Sequence, residues 1–255
     1  MERPARRTAL ITGGTSGIGL ETARRLANAG FGLIVFNGRN AERGDRAVQT
    51  LRGEYPNIEA VFAQADASTV AGAAHLADAC RELMPDSLDV LVNSAGGDLM
   101  PKLFHQIEPE EIEAVIRHWL FSVLHVSRAV LPIIRQGGSI ISVASDAAKS
   151  PTVGETVIGA ALAGVTMFTR AFAMEAKRNG IRVNAVTPSL VEGTGTADRI
   201  FDDSFSAKLF NKARAMAHLG VPDAGDIADA IAFLASPRAR RITGQLLSVN
   251  GGISA

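Results

Sequence analysis

The stretch that decides the fold is "ALITGGTSGIGLETARRLANAG", residues 9–30. A short apolar run enters a turn with glycines at 13, 14, 17 and 19, and an amphipathic helical pattern follows. Because glycine has no Cβ, backbone N–H groups in such a turn can approach a phosphate closely. The helix N-terminus adds a partial positive charge. The segment predicts a dinucleotide-binding turn. The alternative is a glycine-rich turn that has kept its shape and lost its ligand.

Outward from this turn, runs of strand length alternate with helical patterns. The runs are residues 8–12, 32–37, 60–66, 90–96, 139–145, 182–188 and 246–252, and the helical patterns include 17–29, 69–84, 108–135, 155–179 and 226–236. The runs are mostly continuous and apolar, as in strands that are buried on both faces. The alternation predicts an α/β fold of Rossmann type, with a doubly wound, seven-stranded parallel sheet and helices on both faces.

The chain is expected to form a single domain, residues 1–255, because neither a linker nor a repeat divides it. Its least regular part is 189–225, which is polar, partly helical and rich in glycine and aspartate. This part follows the sixth predicted strand. Ligands of open α/β sheets bind at the carboxyl ends of the strands. We therefore predict a substrate lid at 189–225.

Composition excludes several other classes of protein. Lys and Arg number 26, as do Asp and Glu, so no nucleic-acid or anionic-membrane partner is expected. Neither a signal peptide nor a spanning helix is expected. The single cysteine, Cys80, fits a reducing compartment, and we predict a cytoplasmic protein. Without a CxxC or HExxH motif, no metal site is predicted.

Five motifs together carry a resemblance to a known family. The glycine turn has the spacing TGxxxGxG, and it is followed by "NSAG" (93–96), "GGSIISVAS" (137–145), "GIRVNAVTPSLVEG" (180–193) and "ITGQLLSVNGG" (242–252). In this order and at these separations they resemble the short-chain dehydrogenase/reductase family, in particular its 3-oxoacyl-carrier-protein reductase-like branch, over nearly the whole chain. The resemblance implies an oxidoreductase that uses a nicotinamide cofactor. It also implies a homodimer or homotetramer assembled through the helices predicted at 108–135 and 155–179.

The end of the second predicted strand, "FNGRN" (36–40), bears on which nicotinamide is bound. A site that prefers NAD carries an acid about 20 residues past the glycine turn, to bind the ribose hydroxyls. Gly38 stands there, and Arg39 follows with a guanidinium that can pair with a 2′-phosphate. We therefore expect NADP(H) to be favoured over NAD(H). The alternative is that Arg39 only meets solvent. Many NADP(H)-preferring relatives carry a further basic residue in the turn, where this chain has Ser16.

The resemblance also implies which residues contact the cofactor. Asp66 would bind the adenine amino group, and Asn93 to Gly96 would line the adenosine side, although Asn93 could equally be purely structural. The full predicted set is Gly13, Thr15, Ser16, Gly17, Ile18, Gly19, Arg39, Asp66, Ala67, Asn93, Ala95, Gly96 and Pro188.

The catalytic positions that the resemblance implies are mostly changed in this chain. Family members usually reduce a carbonyl with a serine, a tyrosine, a lysine and an asparagine. The serine matches Ser145. The tyrosine and lysine, which share a helix face at i and i+4, fall on Ile158 and Leu162, and the asparagine falls on Trp119. Tyr55 is the only tyrosine in the chain, and it lies before the third predicted strand, towards the wrong end of the sheet.

Three hypotheses follow, and ordinary carbonyl reduction is expected to be severely impaired in each, since positioned general acids contribute ~10²–10⁴-fold. The chain could be a pseudoenzyme subunit that assembles with an intact paralogue, and the small residues of "VIGAALAG" (157–164) would suit close helix packing. It could use another proton donor, or a reaction that needs none, such as hydride transfer to an activated alkene. Ser145 could be a nucleophile, although the GxSxG elbow is missing.

Four side chains are candidates for a substitute donor: Asp146, Lys149, Glu155 and His118. Each has an ordinary alternative. The charges of Asp146, Lys149 and Glu155 would be solvated in a loop and a first helical turn. His118 would be a core or interface ring.

Overall fold

Seven strands form one parallel sheet in this computed structural model, which describes residues 6–84 and 88–254. Their order is β3-β2-β1-β4-β5-β6-β7. The strands are β1 (Arg7–Thr12), β2 (Phe31–Gly38), β3 (Glu59–Gln64), β4 (Leu88–Asn93), β5 (Ile134–Val143), β6 (Arg182–Thr187) and β7 (Leu246–Ser248). The predicted fold class is confirmed.

The helices cover both faces of this sheet. They are α1 (Gly17–Asn28), α2 (Ala41–Glu54), α3 (Val70–Leu83), α4 (Pro109–Val115), α5 (Ser122–Val130), α6 (Thr156–Ala176), α7 (Gly195–Asp202), α8 (Ser204–Met216) and α9 (Ala224–Ala235). Helix α2 was not among the predicted helices. The sequence feature that marks the start of this helix is Asn40. Its side-chain oxygen accepts a hydrogen bond from the Arg43 N–H at 2.9 Å and so caps the helix N-terminus.

The two faces of the sheet are buried in separate apolar cores. Ile11 of β1 packs in one core with Leu26 of α1 and Ile231 of α9. Its neighbour Leu10 packs in the other core with Leu76 of α3. This second core also contains residues of α5 and α6. Successive strand residues point to opposite faces, so both faces require apolar side chains. This explains why the strand runs are continuous rather than alternating.

The prediction of one continuous helix at 108–135 is wrong, because the α-helix is interrupted in its interior and ends earlier than predicted. Helix α4 stops at Val115, a π-helical segment spans Ile116–Phe121, and α5 then runs to Val130. Pro132 lies in a 3₁₀ turn, and β5 begins at Ile134. Proline lacks the N–H that would continue an α-helix. Single π-helical turns are rare and frequently lie at functional sites, and this one carries His118 and Trp119.

Several predicted strands extend too far at their carboxyl ends. β4 ends at Asn93, β5 at Val143 and β7 at Ser248. Ala95, Gly96 and Ser145 therefore lie in loops that follow the strands. The carboxyl edge of a parallel sheet is where such loops form ligand sites, so the shift places these residues where side chains and backbone can reach a ligand.

The predicted lid at 189–225 is largely helical. It contains α7 and α8, and Leu190, Ile200 and Phe210 form a small apolar cluster of their own, against which Met100 packs. The segment is therefore held by its own core and by the loop after β4.

Helix α6 with the turn that follows it, Thr156–Asn179, is long and apolar enough to cross a membrane. Half of its most apolar window is buried inside the protein. The core helix of a soluble protein meets the same criteria of length and composition, so this is weak support for a membrane span.

Candidate functional site

The glycine turn between β1 and α1 is tightly enclosed. Gly13 and Gly17 have φ of +64° and +49°, a region that side chains with a Cβ rarely adopt. A Cβ at Gly13 would lie 2.6 Å from the Ser94 carbonyl oxygen, and one at Gly19 would lie 2.4 Å from the Gly13 carbonyl oxygen. Glycine is therefore required here both by backbone conformation and by space.

The loop after β4 is tied to this turn by Thr12. The Thr12 hydroxyl accepts hydrogen bonds from the backbone N–H groups of Ser94, at 3.2 Å, and Ala95, at 3.3 Å. Ala95 and Gly96 are thereby held beside the glycine turn. The Ser16 side chain makes no capping hydrogen bond to α1 within the described residues. The first N–H groups of α1 thus keep the capacity to bind a phosphate.

The end of β2 brings Arg39 to two side chains far away in sequence. Gly38 lies close to Thr15, because a Cβ at Gly38 would be 3.1 Å from the Thr15 Cγ2. Arg39 donates from Nη2 to Asp98 Oδ2 at 3.3 Å, and its Nη1 lies 3.4 Å from His118 Nε2. Arg39 thus has two protein contacts although its side chain is 52% exposed, and its pairing with a 2′-phosphate stays a prediction. Asp98 was missed because nothing local in the sequence links it to β2.

Asp66, two residues past β3, carries a carboxylate near Arg39 and His118. Its Oδ1 accepts hydrogen bonds from the Ser68 N–H at 3.0 Å and the Ser68 hydroxyl at 2.6 Å. Partial burial acts to raise the pKa of Asp66, but the two Ser68 bonds and the charges of His118 and Arg39 lower it by more, so the net shift is downward. Ala67, next to it, is buried.

Asn93 has its side chain inside the protein. It is 1% exposed, and its Nδ2 donates to the hydroxyls of Ser127 at 3.2 Å and Ser142 at 3.4 Å. These bonds join β4 to α5 and β5, which favours the purely structural alternative. Pro188 is also buried, and its carbonyl oxygen accepts from the Asp146 N–H at 2.7 Å.

Thr194 is a residue near the glycine turn that the sequence analysis missed. A Cβ at Gly17 would lie 3.5 Å from the Thr194 Cγ2. The Thr194 hydroxyl accepts from the Ala197 N–H at 3.2 Å and so caps α7. A threonine just before a helical pattern is an N-cap signal, but only the fold shows that this helix begins over the glycine turn.

Ser145 begins the turn that follows β5. Its hydroxyl accepts from the Ala147 N–H at 3.2 Å and caps the 3₁₀ turn at 146–148. Helix α6 packs directly on this turn, since a Cβ at Gly159 would lie 2.8 Å from the Ala147 carbonyl oxygen. The small residues of "VIGAALAG" thus serve close packing within the chain itself.

Asp146 is buried rather than solvated, so the solvated alternative is wrong for it. Only 5% of the residue is exposed. Its Oδ2 accepts from Asn250 Nδ2 at 2.7 Å and from the Ser254 hydroxyl at 2.6 Å, and Lys149 Nζ lies 3.6 Å from its Oδ1. Lys149 also donates to the Ser248 hydroxyl at 2.5 Å. These contacts join the turn after β5 to the C-terminal segment.

Glu155 occupies the N-cap position of α6, one residue before the helix that was predicted to include it. Burial, the largest cause, raises the pKa of its carboxyl to about 7, and the negative charge of Asp146 acts in the same direction. A hydrogen bond to Thr152 opposes them. The expected solvated charge is therefore wrong here too, because Glu155 carries a carboxyl that is protonated in part near neutral pH.

Ile158 and Leu162 lie in one apolar cluster with Ala144, and Trp119 packs against it. They are 6% and 1% exposed. Neither can donate a proton. The Trp119 ring covers the loop after β4, because a Cβ at Gly96 would be 3.1 Å from the ring and one at Gly97 would be 2.6 Å from Nε1. Trp119 Nε1 is buried and has no hydrogen-bond partner within the part of the chain that the structure describes.

Tyr55 lies away from the glycine turn. It lies between α2 and β3, at the N-terminal ends of the strands, whereas the glycine turn lies at their C-terminal ends. Its hydroxyl accepts a hydrogen bond from Asn28 Nδ2 at 3.0 Å.

A cavity of about 480 Å³ lies beside Trp119. It is an open cavity bordered by the loop after β4, the α4 and π-helical segments, and Asp203 between α7 and α8. Its lining residues are Gly97, Asp98, Leu99, Met100, Pro101, Lys102, Glu111, Ala114, Val115, His118, Trp119 and Asp203. Ser145 is not among them. Across residues 6–84 and 88–254, no group of three or more His, Cys, Asp or Glu side chains could hold a metal ion.

Similarity to known proteins shows the family to which the chain belongs. The family model described as enoyl-(acyl carrier protein) reductase matches residues 13–254. The chain belongs to the short-chain dehydrogenase/reductase family. Within it, the 3-oxoacyl-[acyl-carrier-protein] reductase of Chlamydia trachomatis is 33% identical over 251 residues, with 97% of each chain covered. The chain thus lies in the 3-oxoacyl-carrier-protein reductase-like branch of this oxidoreductase family, whose members bind a nicotinamide cofactor.

Two further relatives show the breadth of the family. The 7alpha-hydroxysteroid dehydrogenase of Bacteroides fragilis is 31% identical over 265 residues, covering 100% of this chain and 96% of that one. An NADPH-bound short chain oxidoreductase from Pseudomonas aeruginosa, described as containing an atypical catalytic center, is 31% identical with a TM-score of 0.88. That match covers 98% of this chain and 99% of the other.

Proposed function

We propose that this protein is an NADP(H)-binding oxidoreductase of the short-chain dehydrogenase/reductase fold that works without the usual tyrosine–lysine pair. The observation that carries the proposal is the apolar cluster in which Ile158 and Leu162 are buried. By the register of the family motifs, these are the positions of the tyrosine and the lysine. Trp119, at the asparagine position, packs against the same cluster.

The glycine turn supports the binding of a dinucleotide, and Arg39 supports the preference for NADP(H). The turn has the left-handed glycines and the close backbone packing that a pyrophosphate cradle needs. Arg39 follows directly on β2, where a guanidinium can pair with a 2′-phosphate. The relative from Pseudomonas aeruginosa is bound to NADPH, which agrees with this preference.

The bound nicotinamide would supply a hydride, and the residues present limit what can follow. Ser145 offers a hydroxyl that can hold a substrate oxygen. Ile158, Leu162 and Trp119 offer no acid for a developing alkoxide. A substrate that stabilises its own negative charge, such as an activated alkene, suits this site better than a simple ketone. Glu155, whose pKa is raised to about 7, is the candidate donor, and it caps the helix that packs against the turn begun by Ser145.

The test is to measure NADPH binding and NADPH oxidation with a matched panel of ketones and enones. We expect binding, and ketone turnover at least ~10²-fold slower than in variants or relatives with a positioned acid. Ser145→Ala should depress any rate that remains. The paired change Ile158→Tyr with Leu162→Lys should introduce weak ketone reduction, and adding Trp119→Asn should raise it. Rapid ketone reduction by the unmodified protein would overturn the proposal.

A second candidate function is a catalytically inactive subunit. It is favoured by two exposed methionines on α6, Met167 and Met174, which are 61% and 62% exposed. Such an apolar face suits assembly as a homodimer or homotetramer, or with an intact paralogue. We place either form in the cytoplasm. A protein that binds NADPH but never oxidises it with any member of the panel would favour this candidate.

A further inference from the structure

Four charged or ionisable side chains from separate elements meet beside the end of β2. Arg39 donates to Asp98 Oδ2 at 3.3 Å, and Arg199 of α7 donates from Nη1 to Asp98 Oδ1 at 3.1 Å. His118 lies 3.4 Å from Arg39. The Asp98 carboxylate is therefore held between two guanidinium groups, one directly after β2 and one on α7 in the predicted lid.

This arrangement has the form of an anion site that the protein's own carboxylate fills. Each oxygen of Asp98 contacts a different arginine, and the planar guanidinium suits carboxylate and phosphate oxygens alike. A phosphate group has a greater charge than a carboxylate, about −1.5 to −2 at pH 7. It also has three acceptor oxygens with which to contact both arginines.

Asp98 can be displaced from this position. The side chains of Arg39, Asp98 and Arg199 are 52%, 68% and 45% exposed. Exposed ion pairs contribute little to stability, about fivefold in an equilibrium constant at most. The other contact of Arg199, to the Thr196 hydroxyl at 3.4 Å, lies within α7. Nothing in these contacts holds Asp98 strongly against a competing dianion.

We propose that the 2′-phosphate of NADP(H) takes the place of the Asp98 carboxylate between Arg39 and Arg199. Arg199 is then a specificity-determining residue contributed by the lid, and Asp98 is a built-in competitor for the 2′-phosphate. In the NADP(H) complex the 2′-phosphate, and not Asp98, links α7 to the end of β2, whereas NAD(H) leaves the Asp98 link in place. This inference rests on the proposed NADP(H) preference, and it adds Arg199 of the lid to the residues that would bind the 2′-phosphate.

The first experiment measures the dissociation constants of NADPH and NADH for the wild type, Arg199→Gln and Arg214→Gln, by titration calorimetry. Arg214 is the matched control, because it is also a half-exposed lid arginine in an ion pair, with Glu192 at 2.8 Å. We expect Arg199→Gln to weaken NADPH binding about five- to tenfold and to leave NADH binding unchanged. Arg214→Gln should change neither. Equal behaviour of the two variants towards NADPH would overturn the inference.

A second experiment separates direct contact from simple neutralisation of Asp98. Asp98→Asn should strengthen NADPH binding several-fold and leave NADH binding unchanged. If Arg199 contacts the phosphate, Arg199→Gln will still weaken NADPH binding in the Asp98→Asn background. If it only neutralises Asp98, the effect will disappear there and the inference is wrong.

The wild-type titrations distinguish this inference from its premise. Equal affinity for NADPH and NADH would defeat the proposed NADP(H) preference itself. A clear preference for NADPH that Arg199→Gln does not alter would defeat only the role of Arg199.

Discussion

Glu155 and Asp146 are two carboxyl groups that the fold places close together around the turn after β5. The Asp146 carboxylate accepts hydrogen bonds from Asn250 and Ser254 and has Lys149 nearby. Glu155 has a hydrogen bond to Thr152, and its pKa is raised to about 7. Burial is the main cause of the raised pKa of Glu155, and the negative charge of Asp146 acts in the same direction.

This shift predicts how stability depends on pH. Glu155 favours the folded state in its neutral form. Its contribution is present in full below the ordinary glutamate pKa of about 4.5, and it is lost as the pH rises through about 7. Glu155→Gln should therefore be more stable than the wild type by about 1–3 kcal/mol at pH 8, and much less so at pH 5. Urea unfolding of both proteins at the two pH values measures this.

A constant difference between the two proteins across this pH range would contradict the raised pKa. The same variant bears on catalysis. If Glu155 supplies a proton, any NADPH oxidation by the wild type should fall in Glu155→Gln even where that variant is the more stable protein.

At the scale of elements, α6 depends on close contact with the turn after β5. Gly159 faces the Ala147 carbonyl oxygen, and a Cβ there would lie 2.8 Å from it. Gly164 faces Leu120 of the π-helical segment, with the nearest atoms 3.1 Å from a Cβ. Two glycines in a helix reduce its intrinsic stability. Here they allow α6 to pack closely against the turn after β5 and the π-helical segment.

The matched substitutions Gly159→Ala and Gly53→Ala test this packing. Gly53 lies in α2 with nothing within 4 Å of a Cβ, so alanine should stabilise the protein by about 0.5–1 kcal/mol. Gly159→Ala should destabilise it by about 1–3 kcal/mol, because the backbone of the turn cannot easily move away. Thermal unfolding of the two variants beside the wild type gives both values. Stabilisation by Gly159→Ala would contradict the described contact.

Element type was largely predictable, whereas element boundaries were not. The apolar runs and the glycine turn predict the strands because periodicity and turn chemistry are local. The π-helical segment at 116–121 and the end of α5 near Pro132 were missed because a helical apolar pattern continues through both. The position of Trp119 over Gly96 and Gly97 depends on that segment and so was not predictable either.

At the scale of the whole molecule, the exposed apolar face of α6 bears on assembly. Met167 and Met174 are separated by seven residues and so lie on one face of the helix. If this face is an oligomer interface, Met167→Glu with Met174→Glu should convert the assembly to monomers. Light scattering after size-exclusion chromatography measures the mass. Val70→Glu is the control, because Val70 is 71% exposed on α3 and should leave the mass unchanged.

By itself, the sequence determined the class of fold and the glycine turn, and its family motifs predict that Ile158 and Leu162 stand at the tyrosine and lysine positions. Each depends on residue type and spacing along the chain. Only the tertiary structure brought Arg39, Asp98 and Arg199 together, across separations of 59 and 101 residues. Only it buried Asp146 and raised the pKa of Glu155. These features depend on how loops from different strands meet at the carboxyl edge of the sheet, and local periodicity carries no information about such contacts.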